Sequence, residues 1–521
     1  MKKTILLLLL LGALIASRAN NITISNVSII NNGPGNIMVQ FDMSWENSWR
    51  VVVGPNNYDG GWVFFKYKNA NGDWVHLTLT GANNSVPAAA EIFQNSGGIK
   101  YGAVISRSSA NPGIGNVSFT GIRLGVVNTL PYNIDIRAYA LEMVYIPTNA
   151  NVVLGDGDGV TEAFKAFHVT DNQSASFPAT FKTDLPATSI NDAIITGAGV
   201  DIQSSGIGGN ASWVTGQAFW SMKYELSEAG YRDFLNALNL TQQTTRTANS
   251  PTSATGTSAL SANNNNRQYI EIATPSTGGL PAVYGCDANN NNIYNEAADG
   301  EWTACGFLSY PDHAAYLDWA GLSLLNEVMY ERICRGATSA GANASVSGEY
   351  AWGTNTVVGF FYSYNNPSQA SEVPSNASTT IGNAVWVSTG DLFGAGRTGI
   401  FATGTTNRVT SGSAFFGVME MSGNEWENCV CVGTVAGRSF LSTNGDGVLS
   451  ANGNANTSSW PCSNNSGIAA SCSEVLDAGG IIARGGSLNS NFDFLQISKR
   501  QVSGINVRQV DNGARGVLYI N

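Results

Sequence analysis

The 521-residue sequence predicts an α+β protein in two parts: a β-sandwich over 20–140, then a larger domain over 141–521 with few helices and long loops. Three observations predict it. Apolar and polar residues alternate in short, turn-bounded runs through the first part, the period-two signature of half-buried strands. Helical periodicity then appears in only two places, Glu225–Leu240 and Asp312–Cys334. Finally, the surface is built from Asn, Ser, Thr and Gly: 12% of residues are charged, against ~25% in a typical globular chain. A chain of this length calls for about two to four domains.

The first 19 residues read as a secretory signal. Lys2 and Lys3 give a basic start, Ile5–Ala16 an apolar run, and Ser17-Arg18-Ala19 a small-x-small cleavage site. The run is shorter than the ~20 residues that span a bilayer. The expected location is therefore exported, in the extracellular space or on the cell surface, with the periplasm also open. Removing this segment leaves 23 basic against 37 acidic residues, a net charge of −14. Nucleic acid is excluded as a partner, because binding to it is driven by basic residues that displace counterions. No transmembrane segment is expected in the mature chain.

Strands are expected at Ile22–Val27, Ile37–Met43, Trp62–Lys68, Trp74–Leu79, Val117–Leu124 and Ile134–Leu141. Asn32-Gly33-Pro34-Gly35 and Asn71-Gly72-Asp73 supply turns between them. Trp45, Trp49, Trp62, Phe64 and Trp74 are assigned to the core. The texture changes at Leu141. Ser227 is the expected N-cap of the first helix, and Gly321 breaks the second helical stretch into Asp312–Leu322 and Asn326–Cys334. Loop insertions fall near 170–215 and 241–310.

An exported setting permits disulfides. Seven cysteines leave at least one thiol unpaired or intermolecular. Cys462 and Cys472 flank a Ser/Asn/Gly loop and are expected to bond; Cys286 and Cys305, around another polar loop, are the second expected pair. Cys334, in a helical stretch, is expected to be a buried free thiol.

Several segments, in order, resemble the formylglycine-generating enzyme or sulfatase-modifying-factor family. They are Leu141–Pro147, Trp220–Ser227 with Tyr231 and Phe234, and Leu317–Leu322 with Glu327, Glu331, Arg335 and Gly336. Gly348–Gly353, Gly417–Glu427, Arg484–Ser487 and Gly513–Gly516 complete the set. Gly417–Glu427 resembles the family signature "G-L-x-D-M-x-G-N-V-W-E" most closely. The resemblance implies a modified C-type-lectin fold for the second domain. It also implies a calcium ion held by the Glu420 and Glu427 side chains and the Gly423 and Glu425 carbonyls, a hard-oxygen set suited to Ca²⁺.

A weaker calcium candidate is Asp287-x-Asn289-x-Asn291, which begins like an EF-hand loop. Asn292 stands where that loop needs Gly and Ala298 where it needs Glu, so an Asn-rich turn is the preferred alternative. Asp156, Asp158 and Asn444–Gly447 carry the same ambiguity.

The family's chemistry is not carried over. Active members hold copper with two cysteines after the "G-G-S" motif, and 488–521 contains no cysteine. A sister branch builds C–S bonds with iron on three histidines. The three here, His76, His168 and His313, have no ligand spacing. Copper and iron are not expected, and no P-loop, G-x-G-x-x-G or Ser-His-Asp order offers other catalysis. The expected function is a non-catalytic, calcium-stabilised surface protein similar to gliding-motility and surface-assembly members of the family, with a glycan, a surface protein or its own copies as partner. The alternatives are an oxidoreductase with a non-standard site and a self-assembling filament subunit.

Overall fold

The computed structural model describes residues 21–31, 37–95, 100–127, 130, 134–148, 151–152, 195–196, 217–262, 266–336, 346, 348–359, 361–386, 393–431, 435–438, 440–462, 472–499 and 505–520. The expected signal, the insertion near 170–215, Asp156, Asp158 and His168 lie outside these residues.

The fold is sheet-rich α+β. The strands of the first part are β1 (Thr23–Asn31), β2 (Ile37–Arg50), β3 (Asp59–Lys68), β4 (Trp74–His76), β5 (Ala90–Phe93), β6 (Ala103–Arg107), β7 (Gly113–Gly125) and β8 (Ile136–Ile146). Period-two patterning found most of them. It missed β5 and β6, which carry too few residues to show a period. Short β9 (Asn151–Val152) and β10 (Ile195–Thr196) pair with each other, and β11 (Phe219–Met222) follows.

Helix α1 (Glu228–Leu235) begins at Ser227, whose side chain accepts the Gly230 N–H as expected of an N-cap. The residues to Leu240 do not continue it. Asn239 starts a second helix, α2 (Leu240–Arg246), with a capping box to Gln242. The stretch from 241 was expected as loop, and the cap explains the difference. The hairpin β12 (Ile270–Thr274) and β13 (Val283–Cys286) comes next. Helix α3 (Tyr310–Ala320) ends at Gly321, left-handed at φ 71°. After β14 (Ser323–Leu324), α4 (Glu327–Arg335) begins at the Asn326 cap. The small pair β15 (Tyr364–Asn365) and β16 (Val373–Pro374), then β17 (Glu427–Val430), α5 (Val435–Arg438), β18 (Ile481–Arg484) and β19 (Gly516–Tyr519) complete the order.

β1, β2 and β7 form one antiparallel sheet, and β14-β19-β11-β8-β3-β6-β5 form a second, larger one with β4 on β3. The sheets pack face to face over Val39, Phe41, Met43 and Trp45 of β2 and Val63 and Phe65 of β3. Successive strand residues point to opposite faces, so Trp62, Phe64 and Lys66 face the other way, into the core of the second part. Trp62 Nε1 donates to the Ala320 carbonyl at 2.8 Å, the Phe64 ring meets Trp319 edge-on at 5.0 Å, and Lys66 Nζ donates to the Trp319 carbonyl at 2.7 Å. β3 is buried on both faces, and for that reason its sequence is a near-continuous apolar run.

β8 crosses position 140/141 unbroken. Residues Ile136–Val144 pair with β3, and Met143–Ile146 pair with β11. The two sequence regions therefore share a sheet.

Candidate functional site

The motif segments, far apart in sequence, carry their charges into two buried centres. At the first, Arg484 ends β18 and is fully buried. Its Nη1 lies 3.1 Å from Glu327 Oε1 and its Nη2 2.7 Å from Glu331 Oε1, both on α4. The i, i+4 spacing places Glu327 and Glu331 on one helix face. Arg335 closes the network onto Glu331 and Glu349. Burial disfavours the Arg484 charge, but Glu331 and Glu327 overcome it and hold the guanidinium pKa above its usual value.

The second centre holds the expected calcium residues. The turn before β17 contains Gly423 at φ 90° and Asn424 at φ 68°. A Cβ on Gly423 would stand 2.6 Å from the Val385 carbonyl oxygen, so only glycine fits. This turn brings Glu425 and Glu427 into the interior, each 1% exposed, with Glu420 partly buried beside them. Arg515, just before β19, reaches Glu427: its Nε lies 2.6 Å from Glu427 Oε1, and its Nη groups donate to the carbonyls of Met222 and Met419 at 3.0 and 2.7 Å.

Glu225 joins from the β11–α1 connection, accepting the Glu425 N–H at 3.0 Å and the Asn424 side-chain amide. Glu420 Oε1 accepts the Gly399 N–H at 2.7 Å. Burial raises every carboxyl here: Glu420 is pushed up to about 7, and Glu225 and Glu425 go well above the usual range. Glu225 is raised further by the charge of Glu420, and Glu425 by that of Glu225.

The structure thus brings Glu420 and Glu427 together, and it adds two groups the sequence had not assigned. Arg515 is a fixed cation on Glu427, and Glu225 is a fourth carboxyl beside those of Glu420, Glu425 and Glu427. Glu420 Oε2 and Glu427 Oε2 have no hydrogen-bond partner. An excess of buried carboxylate over guanidinium with orphaned hard oxygens fits Ca²⁺ in donor chemistry. Among the described residues, no group of three or more His, Cys, Asp or Glu side chains is arranged to hold a metal ion. A calcium ion here would therefore depend on the Gly423 and Glu425 carbonyls to complete its shell.

The Asp287 loop closes on itself. Asp287 Oδ1 and Oδ2 accept the N–H groups of Asn291 and Asn292, Asn289 Oδ1 accepts Asn291 N–H, and Asn291 Oδ1 accepts Ile293 N–H. Side-chain oxygens that accept backbone donors make Asx turns, the geometry of the Asn-rich-turn alternative.

Cys462 and Cys472 are bonded, with Cα atoms 6.2 Å apart. Cys286 and Cys305 are not, which corrects the second expected pair: both are buried free thiols. Their backbones are committed to different neighbours. Cys286 N–H donates to Asn295 Oδ1, and Cys305 N–H to the Leu226 carbonyl. Each side chain fills apolar core as a small hydrophobe. Cys334, Cys429 and Cys431 are also buried and lie outside the disulfide. Burial pushes the Cys286, Cys305 and Cys429 thiols well above their usual range and raises Cys334 as well.

Both described histidines are engaged inside the protein. His76 Nε2 is 2.7 Å from the Tyr101 carbonyl and Nδ1 is 2.9 Å from Lys66 Nζ, while His313 Nε2 is 2.9 Å from the Arg515 carbonyl. Burial lowers both pKa values, His313 to about 4.

No family model and no curated protein matches the chain. Among solved structures it is similar to PvdO from Pseudomonas aeruginosa, at 14% identity and a TM-score of 0.29, covering 73% of this chain and 94% of that one. It is also similar to Treponema denticola variable protein 1, at 12% identity and a TM-score of 0.26, covering 73% and 95%. Scores of this size assign neither a family nor an activity.

Proposed function

We propose that this chain is an exported, non-catalytic surface protein. In this reading a β-sandwich joined to a C-type-lectin-like domain of the formylglycine-generating-enzyme type serves as a scaffold for binding or assembly, stabilised by calcium at Glu420 and Glu427. The partner is a glycan, a surface protein or another copy.

The observation that carries the proposal is where the reactive groups lie. The described cysteines outside the disulfide are buried, burial weakens the acidity of the Cys286, Cys305, Cys334 and Cys429 thiols, and the two described histidines bond to backbone carbonyls in the interior. Thiolate and imidazole chemistry needs such groups accessible and near neutral pKa. The motif charges are likewise paired internally, in the Arg484 and Arg515 networks.

A calcium titration followed by melting temperature tests the stabilising role. At pH 7.5, calcium raises the melting temperature of the wild type and leaves Glu420→Gln unchanged. An equal rise in both removes the site from the proposal. A second reading, a self-assembling filament subunit, draws on Val52, Val53 and Ile114, which are 58%, 83% and 80% exposed at neighbouring strand ends. Sizing and negative-stain microscopy separate the two: filaments favour the subunit, a monodisperse monomer the binding scaffold.

A further inference from the structure

The two sheets end differently. The larger one finishes in short strands, β14 of two residues and β5 of four. The smaller one finishes in β7, which is 13 residues long. A free sheet edge is a row of unpaired N–H and C=O groups, and short strands, bulges, Pro or charged side chains ordinarily protect it. β1, on the opposite side of the small sheet, has a register break between Ser25 and Ser28 with Asn26 at φ 53°, and it packs beside β8.

β7 is covered at one end only. On the side away from β2, Arg123 exchanges backbone bonds with Ser85 at 2.8 and 2.9 Å, and the Gly125 N–H donates to Asn84 Oδ1. A bulge at Gly121, φ 69°, precedes this stretch, with the Gly121 N–H donating to Asp42 Oδ1. Before the bulge, Gly113–Phe119 pair with β2 and, among the described residues, with no second strand. The Arg107 guanidinium reaches the Gly115 carbonyl at 2.8 Å and the Asn116 carbonyl at 3.5 Å. The run Gly113–Gly121 contains no charged residue and no Pro. Val117 and Phe119 point into the sandwich core, while Ile114, Asn116, Ser118 and Thr120 are exposed.

We propose that two copies of this chain associate along this edge, β7 against β7, antiparallel about a two-fold axis at Ser118. The inference rests on the binding-or-assembly reading and names its partner, a second copy, and the surface used. The strip is self-complementary. Ser118 faces Ser118 of the second copy, and Asn116 faces its Thr120, polar pairs that hydrogen-bond across an antiparallel ladder. The charge pattern favours a copy of the same chain. The chain carries a net charge of −11, yet this strip brings no like charges together, and the acids of β2, Asp42 and Glu46, stand one strand back from the axis. At that remove salt screens much of their repulsion, with a Debye length of about 8 Å at physiological ionic strength. The product is one six-stranded sheet, β1-β2-β7 continued by its copy. A two-fold interface uses the same surface on both copies and closes at two, so the expected assembly is a dimer and not a filament.

The test is sedimentation of the purified full chain over a concentration series from ~1 to ~100 μM, which brackets ordinary dimer affinities. A monomer–dimer equilibrium is expected. Ser118→Lys and Ser118→Glu each set like charges directly opposite at the axis and should weaken the dimer about tenfold or more. An equimolar mixture of the two variants should regain the wild-type affinity, because Lys then faces Glu. Ser118 is exposed, and melting curves confirm that both variants keep the fold. The proposal is overturned if the wild type stays monomeric throughout, if it forms filaments in place of a dimer, if both variants dimerise as the wild type does, or if the mixture stays as weak as its components. Those outcomes leave the non-catalytic reading standing, because that reading falls to redox metal and oxygen uptake.

Discussion

Arg515 Nε lies 2.6 Å from Glu427 Oε1, with both side chains 1% exposed or less. The pair joins the chain's last strand to the signature turn 88 residues earlier. Arg515→Met leaves Glu427, Glu420 and Glu225 without their guanidinium in the interior. Removing one partner of a buried pair costs about 3–5 kcal/mol. The urea midpoint should fall accordingly, and adding Glu427→Leu should recover part of the loss. An unchanged midpoint for Arg515→Met would show that the pair does not hold the turn.

Stability should rise as pH falls from 8 toward 5. Burial pushes Glu228 up to about 8 and Asp59 and Asp318 up to about 6. Each keeps a proton in the folded state at pH values where the unfolded chain has lost it. The folded state therefore binds more protons, and stability decreases as pH rises through that window. The buried neutral imidazoles of His76 and His313 oppose this below about pH 6.5, where the unfolded chain protonates them first, and the three carboxyls outweigh them. Asp312 also acts oppositely: against burial, Arg508 and Arg246 hold it below the usual range. Its contribution is present at neutral pH and is lost only on acidification through its lowered pKa. Melting temperatures at pH 5.5 should exceed those at pH 8 by a few degrees, and Glu228→Gln should flatten the difference.

Thiol counting checks the disulfide assignment. With Cys462 and Cys472 bonded and the other five cysteines buried outside that bond, the native protein should show essentially no fast-reacting thiol and the denatured protein five. A count of three after denaturation would show a second disulfide and contradict the assignment.

The shared sheet predicts that the two regions do not separate. A chain beginning at 141 loses β3 and half of β8, and with them the pairing of Asp59–Tyr67 with Ile136–Val144. It also loses Trp62 and Phe64 from the second core. Such a fragment should be insoluble or molten, and the full chain should melt in one transition. A soluble, cooperatively folding 141–521 fragment would contradict this.

Local patterns carried part of the result. Ser227, Gly321 and the turn-bounded strands were legible because caps and period-two alternation are written in neighbouring residues. The Cys462–Cys472 bond was legible because a stretch of nine residues rich in Ser, Asn and Gly lies between its ends. Arg515, Glu225 and the two-faced burial of β3 were not. Each depends on contacts across long stretches of sequence, and a lone charge or a continuous apolar run does not reveal its distant partner. The Glu420–Glu427 turn was found by its motif, but the guanidinium that already serves it lay 88 residues away. Cys286 and Cys305 misled for the converse reason: a polar loop between two cysteines suggests a bridge, while the core that claims each thiol is assembled from elsewhere.

The most direct test of a non-catalytic scaffold is elemental analysis of the chain purified without chelator. Oxygen uptake is then measured with a cysteine-containing peptide in the presence of added copper(I) or iron(II). Calcium without stoichiometric copper or iron, and no uptake above the metal-only control, is the predicted result. Stoichiometric copper or iron together with peptide-dependent oxygen consumption would contradict it.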